Sequence, residues 1–384
     1  MSNIAYIRTS DRSAFRRCRR RWGWSSHLKG NLEVAEGAEP LWLGSGFHYA
    51  LEDFHGPKNW PSAAAAFEGY TDACRRTPNV ILPATWLEAK QLATDMLNFY
   101  ADIWLRNRPY LKTYVHNGHH QCEVNFEIPL PIEVDGYDQV IYRGSLDRVI
   151  IDEHKRLWVV EYKTAKQFQT GHFDVDGQVS AYCWAASVLY PNEIAGVIYQ
   201  QHKKTLPQPP EFLKTAKRYS TNKQQSTNQG LYRQALSNLY GVHLEGAPPE
   251  NIEFLNWLSE QESEDQDPFI RRDWIYRSDH QIAAEGEKIL MEVPEMLNPD
   301  LPLYPNPTRD CSWDCRFMSP CIVMDDGGDW EADIEGITVQ REEDLKTWRQ
   351  HLKPPSQRPQ PKPQNRQSPV RLPNQRVPVP RRPL

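Results

Sequence analysis

The stretch that decides the fold runs from Asp138 to Lys163 and reads DQVIYRGSLDRVIIDEHKRLWVVEYK. It contains two runs rich in Val, Ile, Tyr and Trp, which favour strands because β-branched and aromatic side chains pack well on a pleated surface. The polar segment 152–155 separates the two runs and is typical of a turn. The sequence therefore predicts a hairpin with strands over 138–152 and 156–163.

Both predicted strands carry charged residues where their apolar runs end. The first contains Gly144-Ser-Leu-Asp147, and the second ends in Glu161-Tyr-Lys163. Alternate residues of a strand share a face, so Glu161 and Lys163 point the same way, and the hairpin brings Asp147 beside Glu161. Two converging carboxylates form a hard-oxygen site suited to Mg²⁺ or Mn²⁺, and a neighbouring lysine can orient a nucleophile or stabilise developing charge. Taken alone, the pattern also fits an exposed, charged strand end.

Hydrophobic periodicity places this hairpin inside a larger α/β unit. The predicted helices cover 10–22 (capped by Ser10), 41–55, 61–76, 83–106, 175–190, 230–245, 249–262 and 278–297, and the further predicted strands cover 121–134, 194–201 and 269–277. The polar residues 203–230 are expected to form an exposed excursion. The centre therefore follows the order helix, three strands, helix, strand, which indicates an α/β (α+β) core with a mixed sheet embedded in additional helices.

Charge is distributed unevenly along the 384 residues. The formal net charge is −5, but residues 351–384 contain eight Lys or Arg, no acid and ten of the 31 prolines. Such a segment cannot bury enough apolar surface to offset the entropy of ordering it. We therefore expect a single folded domain over 1–350 and a disordered, basic, proline-rich tail. The tail either holds DNA or a proline-recognising partner, or it is dispensable.

Composition argues against a membrane protein and for a reducing compartment. The mean hydropathy is −0.71, and no apolar run approaches the ~18 residues of a membrane span. The N-terminal residues lack the apolar centre of a secretory signal. The odd number of cysteines, seven, argues against a disulfide framework. Together these features predict a cytoplasmic protein.

Three of the cysteines form the cluster Cys311-x3-Cys315-x5-Cys321. Thiolates this close repel one another unless a metal ion or cluster neutralises them. Cys18, in the arginine-rich predicted helix, is the best candidate for a fourth ligand, and four cysteines suit either a [4Fe–4S] cluster or Zn²⁺. The sequence thus predicts a metal centre that staples the N-terminal segment to the C-terminal one. The remaining cysteines lie in apolar contexts and are expected to act as small hydrophobic residues.

Taken together, these motifs resemble the PD-(D/E)XK nuclease superfamily, in the RecB-like branch that includes CRISPR-associated exonucleases and many phage proteins. Gly144-Ser-Leu-Asp147 and Glu161-Tyr-Lys163 match the branch's Gly-x-x-Asp and (Asp/Glu)-x-Lys motifs. Gln178-Val-Ser-Ala-Tyr182 matches the motif of the following helix, and Gly46-Phe-His48 matches an upstream helix that contributes a histidine. The motifs occur in the expected order and span most of the body.

The cysteines extend the resemblance to members that contain an iron–sulfur cluster. Cys18 together with Cys311, Cys315 and Cys321 matches their pattern of one plus three cysteines. The Cys-x3-Cys spacing departs from the Cys-x2-Cys of many relatives, so the identity of the metal centre stays open between a [4Fe–4S] cluster and Zn²⁺.

The resemblance implies a restriction-endonuclease-like core of order αβββαβ over about 41–202. Residues 203–350, helical and containing the cysteine cluster, would close onto residues 1–30. It also implies a role for each motif residue. The metal ligands would be His48, Asp147, Glu161 and the Tyr162 carbonyl, the catalytic lysine would be Lys163, and Gln178 and Tyr182 would contact the phosphate backbone or brace that lysine.

The implied activity is that of a Mg²⁺- or Mn²⁺-dependent DNA exonuclease acting in replication, recombination or repair, phage-encoded and working in the bacterial host cytoplasm. The expected partners are DNA with a free end, single-stranded or resected, and a recombination or replication protein. One alternative is a catalytically weak or inactive nuclease-fold protein that binds DNA for a recombination machine. Another is a zinc-stapled DNA-binding protein in which the carboxylate motif is incidental.

The arginine-rich segment is the first candidate for DNA contact. Seven arginines fall between Arg8 and Arg21, against the single acid Asp11. Such a set of positive charges could neutralise the phosphates of DNA. The candidate DNA-binding residues are therefore Arg16, Arg17, Arg19 and Arg20. The same pattern also fits a solvated helix face, and the basic 203–233 segment is either a clamp over the substrate or a solubilising loop.

Overall fold

The computed structural model describes residues 3–34, 39–78, 80, 82–171, 173–340 and 347–355, and most of the proline-rich tail predicted for 351–384 lies outside them. The strands are β1 (Ile4–Arg8), β2 (Leu32–Val34), β3 (Val115–His116), β4 (His119–His120), β5 (Cys122–Pro129), β6 (Gln139–Ile151), β7 (Leu157–Ala165), β8 (Ile194–Lys203), β9 (Phe212–Leu213), β10 (Arg218–Tyr219), β11 (Ile270–Tyr276) and β12 (Thr338–Gln340). The helices are α1 (Thr9–Arg17), α2 (Arg19–Ser25), α3 (Glu39–His55), α4 (Ala63–Arg76), α5 (Trp86–Asn98), α6 (Gly177–Leu189), α7 (Gln229–Tyr240), α8 (Pro249–Glu260), α9 (Asp279–Leu297), α10 (Cys311–Asp314), α11 (Met318–Asp325) and α12 (Trp330–Ile337).

The predicted hairpin, β6 and β7, lies at the centre of a mixed six-stranded sheet of order β1-β6-β7-β8-β11, with β5 also paired to β6. β5, β6 and β7 form antiparallel pairs, β8 runs parallel to β7, and β11 is antiparallel to β8. The predicted order of helix, three strands, helix and strand is therefore confirmed as a mixed α/β arrangement. The strand β1, which pairs in parallel with the first half of β6, was not predicted from the sequence.

The sheet forks along one edge of β6. Residues 141–143 of β6 pair with both β1 and β5, whereas Arg148 pairs with both β5 and β7. β1 and β7 therefore lie end to end on the edge opposite β5. Between Arg143 and Arg148, no strand of the described chain pairs with that edge. The Gly144–Asp147 motif occupies this gap.

Helices cover both faces of the sheet. On one face, α1, α6 and α9 enclose a core that includes Val159 and Val197. On the other face, α3, α4, α5 and the π-helical segment Phe99–Trp104 enclose a second core that includes Trp158 and Ile198. The alternation of neighbouring residues between two cores explains the continuous apolar runs 157–160 of β7 and 194–199 of β8. None of the described helices combines the length and apolarity needed to cross a bilayer.

Two helix predictions need correction. The first helix begins at Thr9 rather than after Ser10, because the Asp11 carboxylate accepts a hydrogen bond from the Arg8 N–H and closes the first turn. The helix then stops at Cys18, whose extended backbone separates α1 from α2. The helix predicted over 83–106 is α5 followed by the π-helical segment and a short 3₁₀ turn.

The segment predicted as an exposed excursion, 203–230, is part of a folded insertion. It contains the hairpin β9–β10 and continues into α7 and α8, which share a small core. Its polar composition conceals this packing, because buried polar groups bond within the insertion. Asn251 Nδ2, for example, donates to the Tyr219 carbonyl at 2.8 Å.

The described chain continues in contact with the body as far as Pro355. Trp348 is buried in the core formed by α3 and α4, and Arg349 Nη2 lies 2.7 Å from Glu52 Oε2 on α3. Pro354 is also buried. The described chain is thus still packed against the body slightly past the boundary expected at residue 350.

Buried histidines in the core should make stability depend on pH. His202 of β8 is fully buried against Phe47 and Tyr100, and its Nε2 lies 2.8 Å from Gln200 Nε2. Burial, assisted by the positive charge of Arg272, lowers the pKa of His202 to about 3. A histidine whose pKa is lowered by folding stabilises the folded state fully above its pKa in the unfolded chain, about 6.5. This stability is lost progressively as the pH falls below that value.

We predict that replacing His202 with Gln flattens the pH dependence of stability. Between pH 7 and 5 the unfolding free energy of the natural protein should fall by about 2 kcal/mol more than that of H202Q, since only the unfolded His202 takes up a proton. Denaturant titrations at the two pH values measure the difference. H154Q, altered at an exposed turn, should behave like the natural protein, and equal pH dependence in all three proteins would contradict the prediction.

Candidate active site

Asp147 lies in the fork of the sheet and bonds to the strand that separates there. Its Oδ2 accepts a hydrogen bond from the Tyr162 backbone N–H at 2.9 Å, and its Oδ1 lies 3.1 Å from His48 Nδ1 on α3. An unpaired buried N–H is costly, so the Asp147 side chain takes the place of a strand partner for Tyr162. The carboxylate is therefore fixed between β7 and α3.

A local irregularity in β6 aims this carboxylate. Leu146 and Val149 pack in the same core although they are three residues apart, so the alternation of side chains shifts between them. The strand register skips the pair of Asp147 and Glu123, and Glu123 has a φ of +48°. Irregular pairing of this kind commonly re-aims a side chain beside a functional site.

Glu161 and Lys163 lie on one face of β7, as predicted, and Lys163 Nζ contacts Glu161 Oε1. The Glu161 side chain is almost completely buried, and its second oxygen, Oε2, has no hydrogen-bond partner within the described chain. A buried carboxylate oxygen without a partner carries a large desolvation cost. A bound cation would remove that cost.

The charges of these groups influence one another strongly. Burial and the negative charge of Asp147 raise the pKa of Glu161 to about 7. Burial alone would also raise the pKa of Asp147, but His48, Lys163 and the Tyr162 N–H outweigh it and lower that pKa. Burial opposes charge on His48 and Lys163, yet the carboxylates outweigh it and raise both pKa values. The site is therefore a compact set of mutually dependent charges, typical of functional sites.

The other motif residues lie on the helix that follows β7. Gln178 Nε2 donates to the Tyr182 hydroxyl at 2.8 Å, as expected for residues four apart on α6. Burial raises the pKa of Tyr182, and the negative charges of Glu161 and Asp147 raise it further. The structure thus brings all six side chains of the nuclease motifs, from α3, β6, β7 and α6, into one neighbourhood, while their individual roles stay predictions.

Sequence reasoning missed Arg148, which follows Asp147 and ties the site together from behind. Its side chain is buried, Nη1 donates to the Tyr162 hydroxyl at 3.2 Å, and Nε donates to Thr113 Oγ1 at 2.9 Å. Thr113 in turn donates to the carbonyl of His55 at the end of α3. Arg148 therefore connects β6, β7 and α3, the elements that carry the predicted ligands. A charged residue directly before the apolar run 149–151 was the available signal.

The donor set at the fork fits a divalent cation chemically. It offers the carboxylates of Asp147 and Glu161 and a backbone carbonyl, which are ligands that Mg²⁺ and Mn²⁺ prefer, and Oε2 of Glu161 has no hydrogen-bond partner in the described ranges. Across the described ranges, however, no three His, Cys, Asp or Glu side chains form a ready-made metal-binding group. At this site Asp147 contacts His48, and Glu161 contacts Lys163.

The four predicted cluster cysteines lie in two segments that contact each other. Asn306 N–H donates to Cys18 Sγ at 3.4 Å, and Arg20 Nη1 donates to Cys321 Sγ at 3.3 Å. Burial and Asp325 raise the pKa of Cys321, and Cys18 lies near enough to add to that rise although Arg20 opposes it. The short helix α10 begins at Cys311, and Cys315 directly follows its last residue. All four thiols are free and partly buried, so the donor set suits a soft metal centre.

The arginines predicted to contact DNA are engaged with acids of the C-terminal segments. Arg16 contacts Glu285 at 3.2 Å and Glu292 at 2.6 Å, and Arg20 contacts Asp325 at 2.7 Å. Arg17 pairs with Asp314, and Arg19 pairs with Glu295. Arg12 forms a fully buried pair with Glu285. DNA contact by Arg16, Arg17, Arg19 and Arg20 stays a prediction, but their charges already hold α1 and α2 against α9, α10 and α11.

Comparison with protein families agrees with the geometry. A family model for the PD-(D/E)XK nuclease superfamily matches residues 9–322, from the start of α1 to α11. The chain belongs to the PD-(D/E)XK nuclease superfamily. No curated protein shows a significant sequence match. Membership in this nuclease superfamily is consistent with the mixed α/β arrangement of the sheet.

We predict that Mn²⁺ or Mg²⁺ stabilises the protein through Asp147 and Glu161. A ligand that binds only the folded state adds about 2.7 kcal/mol at 100 times its Kd, so the melting temperature should rise by several degrees. E161Q should abolish this rise, because it removes the charge of a buried ligand. E153Q, at an exposed turn, is the matched control. A full rise in E161Q, measured by thermal melting with and without Mn²⁺, would place the metal elsewhere.

Proposed function

We propose that the protein is a Mg²⁺- or Mn²⁺-dependent DNA exonuclease of the RecB-like, phage type, acting on free DNA ends in replication, recombination or repair. The observation that carries the proposal is the pair Asp147 and Glu161 at the fork. Lys163 contacts Glu161, and one oxygen of Glu161 has no hydrogen-bond partner among the residues that the structure describes. A binding protein has no need of two buried acids and a lysine in this arrangement, since each is costly to bury. Hydrolysis of a phosphodiester uses all three.

In this proposal each residue at the fork has a separate role in hydrolysis. Asp147, Glu161, the Tyr162 carbonyl and His48 would hold the divalent cation, which supplies Lewis acidity to the reaction when it is bound. Lys163, held next to the carboxylates, orients the attacking water and stabilises negative charge that develops on the phosphate. Gln178 and Tyr182 act as a hydrogen-bonded pair that contacts the phosphate backbone or braces Lys163. Arg148 keeps β6, β7 and α3 in register behind these groups.

We further propose that Cys18, Cys311, Cys315 and Cys321 hold a [4Fe–4S] cluster, with Zn²⁺ as the alternative. In support, Cys18 interrupts two helices so that its thiol meets the segment that carries the others, and N–H groups already point at several of the sulfurs. Hydrogen bonds to thiolates are typical of such centres. The centre is structural in this proposal, because it joins segments nearly 300 residues apart that ion pairs also hold.

The proposed setting is a reducing cytoplasm, that of the bacterial host if the protein is phage-encoded. The odd number of cysteines, seven, supports this proposal because it argues against a disulfide framework. The proposed partners are DNA and a recombination or replication protein that delivers free ends.

We predict that K163A loses at least about a hundredfold in rate, because it removes stabilisation of charge in the transition state. End-labelled single- and double-stranded DNA, incubated with Mn²⁺ or Mg²⁺, measures the rate and shows whether cleavage proceeds from an end. K166A, three residues further on, is a nearby lysine control. Wild-type rates in K163A would refute the mechanism, and a natural protein that binds DNA without cutting it would favour an inactive, DNA-binding nuclease fold.

Freshly purified protein should contain iron and should be brown, with a broad absorbance near about 400 nm typical of iron–sulfur clusters. C18S should lose this absorbance, because the cluster would lack its fourth thiolate, whereas C183S, altered at a buried cysteine of α6, should keep it. Metal analysis beside the spectrum decides between the assignments: a colourless protein with stoichiometric zinc would refute iron–sulfur and support Zn²⁺.

A further inference from the structure

The insertion between β8 and β11 is attached beside the active site by the topology of the sheet. β7 and β8 run parallel, so Lys163 pairs with Gln201, and β8 ends two residues later at Lys203. The chain returns in β11, where Ile270 pairs with His202. Residues 204–269 therefore leave and re-enter the sheet at the end that carries Glu161 and Lys163.

The insertion presents a small hairpin whose sequence is FLKTAKRY. Phe212 pairs with Tyr219, their rings lie 5.2 Å apart, and Phe212 is 42% exposed. The loop between β9 and β10 carries Lys214 and Lys217, both exposed. Arg218 contacts Glu250 of α8 at 3.4 Å and so fixes the hairpin to the rest of the insertion. Lys214 and Lys217 form no ion pair with any residue that the structure describes.

Charge is strongly polarised within the insertion. Residues 203–233 carry seven Lys or Arg and one acid, whereas residues 234–268 carry eight acids and no Lys or Arg. Only part of this charge is used internally, since the α8 acid Glu250 pairs with Arg218 while the lysines at the hairpin tip stay in solvent. These lysines differ from the arginines of α1 and α2, which form ion pairs with acidic side chains. The tip of the hairpin thus combines two lysines that form no ion pair within the described chain with an exposed aromatic ring, in an insertion that leaves the sheet at the end carrying Lys163.

We propose that the hairpin β9–β10 binds the single-stranded DNA that enters the active site, an inference that rests on the proposed nuclease function. Lys214 and Lys217 neutralise backbone phosphates, and Phe212 offers a face on which a base stacks. Basic side chains interleaved with an exposed aromatic ring are the usual means of holding a single strand without reading its sequence. The hairpin thereby extends the site beyond the residues that perform hydrolysis.

The test measures binding separately from cleavage. Fluorescence anisotropy with a labelled oligothymidylate, in EDTA so that no hydrolysis occurs, compares the natural protein with K214Q/K217Q and with F212A. The matched control is K112Q/K155Q, a pair of exposed lysines at the opposite end of the β6–β7 hairpin. Each pair contains one residue with positive φ, Lys217 at +49° and Lys155 at +63°, so backbone strain is comparable.

We expect K214Q/K217Q and F212A each to weaken binding on the order of tenfold, as removal of a stacked ring or of phosphate-neutralising charges does. The slope of log affinity against log salt should become shallower by about 0.7 for each phosphate that is no longer neutralised, in K214Q/K217Q only. In Mn²⁺, KM should rise while kcat stays unchanged. The proposal would be overturned if both hairpin variants bound the oligothymidylate as tightly as the natural protein. It would also be overturned if the hairpin variants lost as much affinity for duplex DNA as for the single strand, or if K112Q/K155Q lost as much affinity for the single strand as they do.

Failure of the proposed function gives a different result. If the natural protein neither binds nor cuts DNA, the nuclease assignment fails. If the natural protein binds and cuts DNA and the hairpin variants do the same, the nuclease assignment stands and the hairpin proposal alone is wrong. Thermal melting of each variant verifies that the loss of affinity does not come from unfolding.

Discussion

Two buried carboxylates beside each other impose the constraint on which the rest of this structure depends. Asp147 and Glu161 repel, and burial raises the cost of charging either one. The fork in the sheet makes the arrangement possible, because β7 leaves β6 at Tyr162 and the freed N–H binds Asp147. Lys163 and His48 offset part of the remaining charge. Within the described chain one oxygen of Glu161 still has no hydrogen-bond partner, which is the feature that a bound cation would satisfy.

The elements around the fork are held by charges that come from distant parts of the chain. Arg148 joins β6, β7 and the end of α3 through neutral oxygens, which keeps the ligands in place without competing for their charge. Arg12 and Glu285 form a buried pair between α1 and α9. Removing one partner of such a pair typically costs about 3–5 kcal/mol, because a buried charge is left alone. The N-terminal helix α1 is therefore held against α9 by a buried ion pair.

Local sequence pattern predicted the central strands and the helix that follows them with small errors at the ends. The predicted strand 138–152 is β6 at 139–151, and the predicted helix 175–190 is α6 at 177–189. The pattern works here because both cores alternate along strands that are buried on two faces. It failed at β1, five residues long, whose pairing with β6 spans more than 130 residues. The hydrophobic periodicity of a short segment carries no information about a strand partner that is so distant in the sequence.

The motif residues and their spacing along β7 and α6 follow from sequence alone, because strand and helix geometry set which neighbours share a face. The uses of the charged segments do not follow. The arginines of α1 and α2 were expected to contact DNA, and folding places acids of α9, α10 and α11 against them. The basic segment 203–233 was expected to be either a clamp over the substrate or a solubilising loop, and folding makes it part of an insertion with its own hairpin and small core, which leaves the sheet at the end that carries Lys163. A charge has no fixed role in a sequence, because its energy depends on which opposite charges and how much water surround it once the chain has folded.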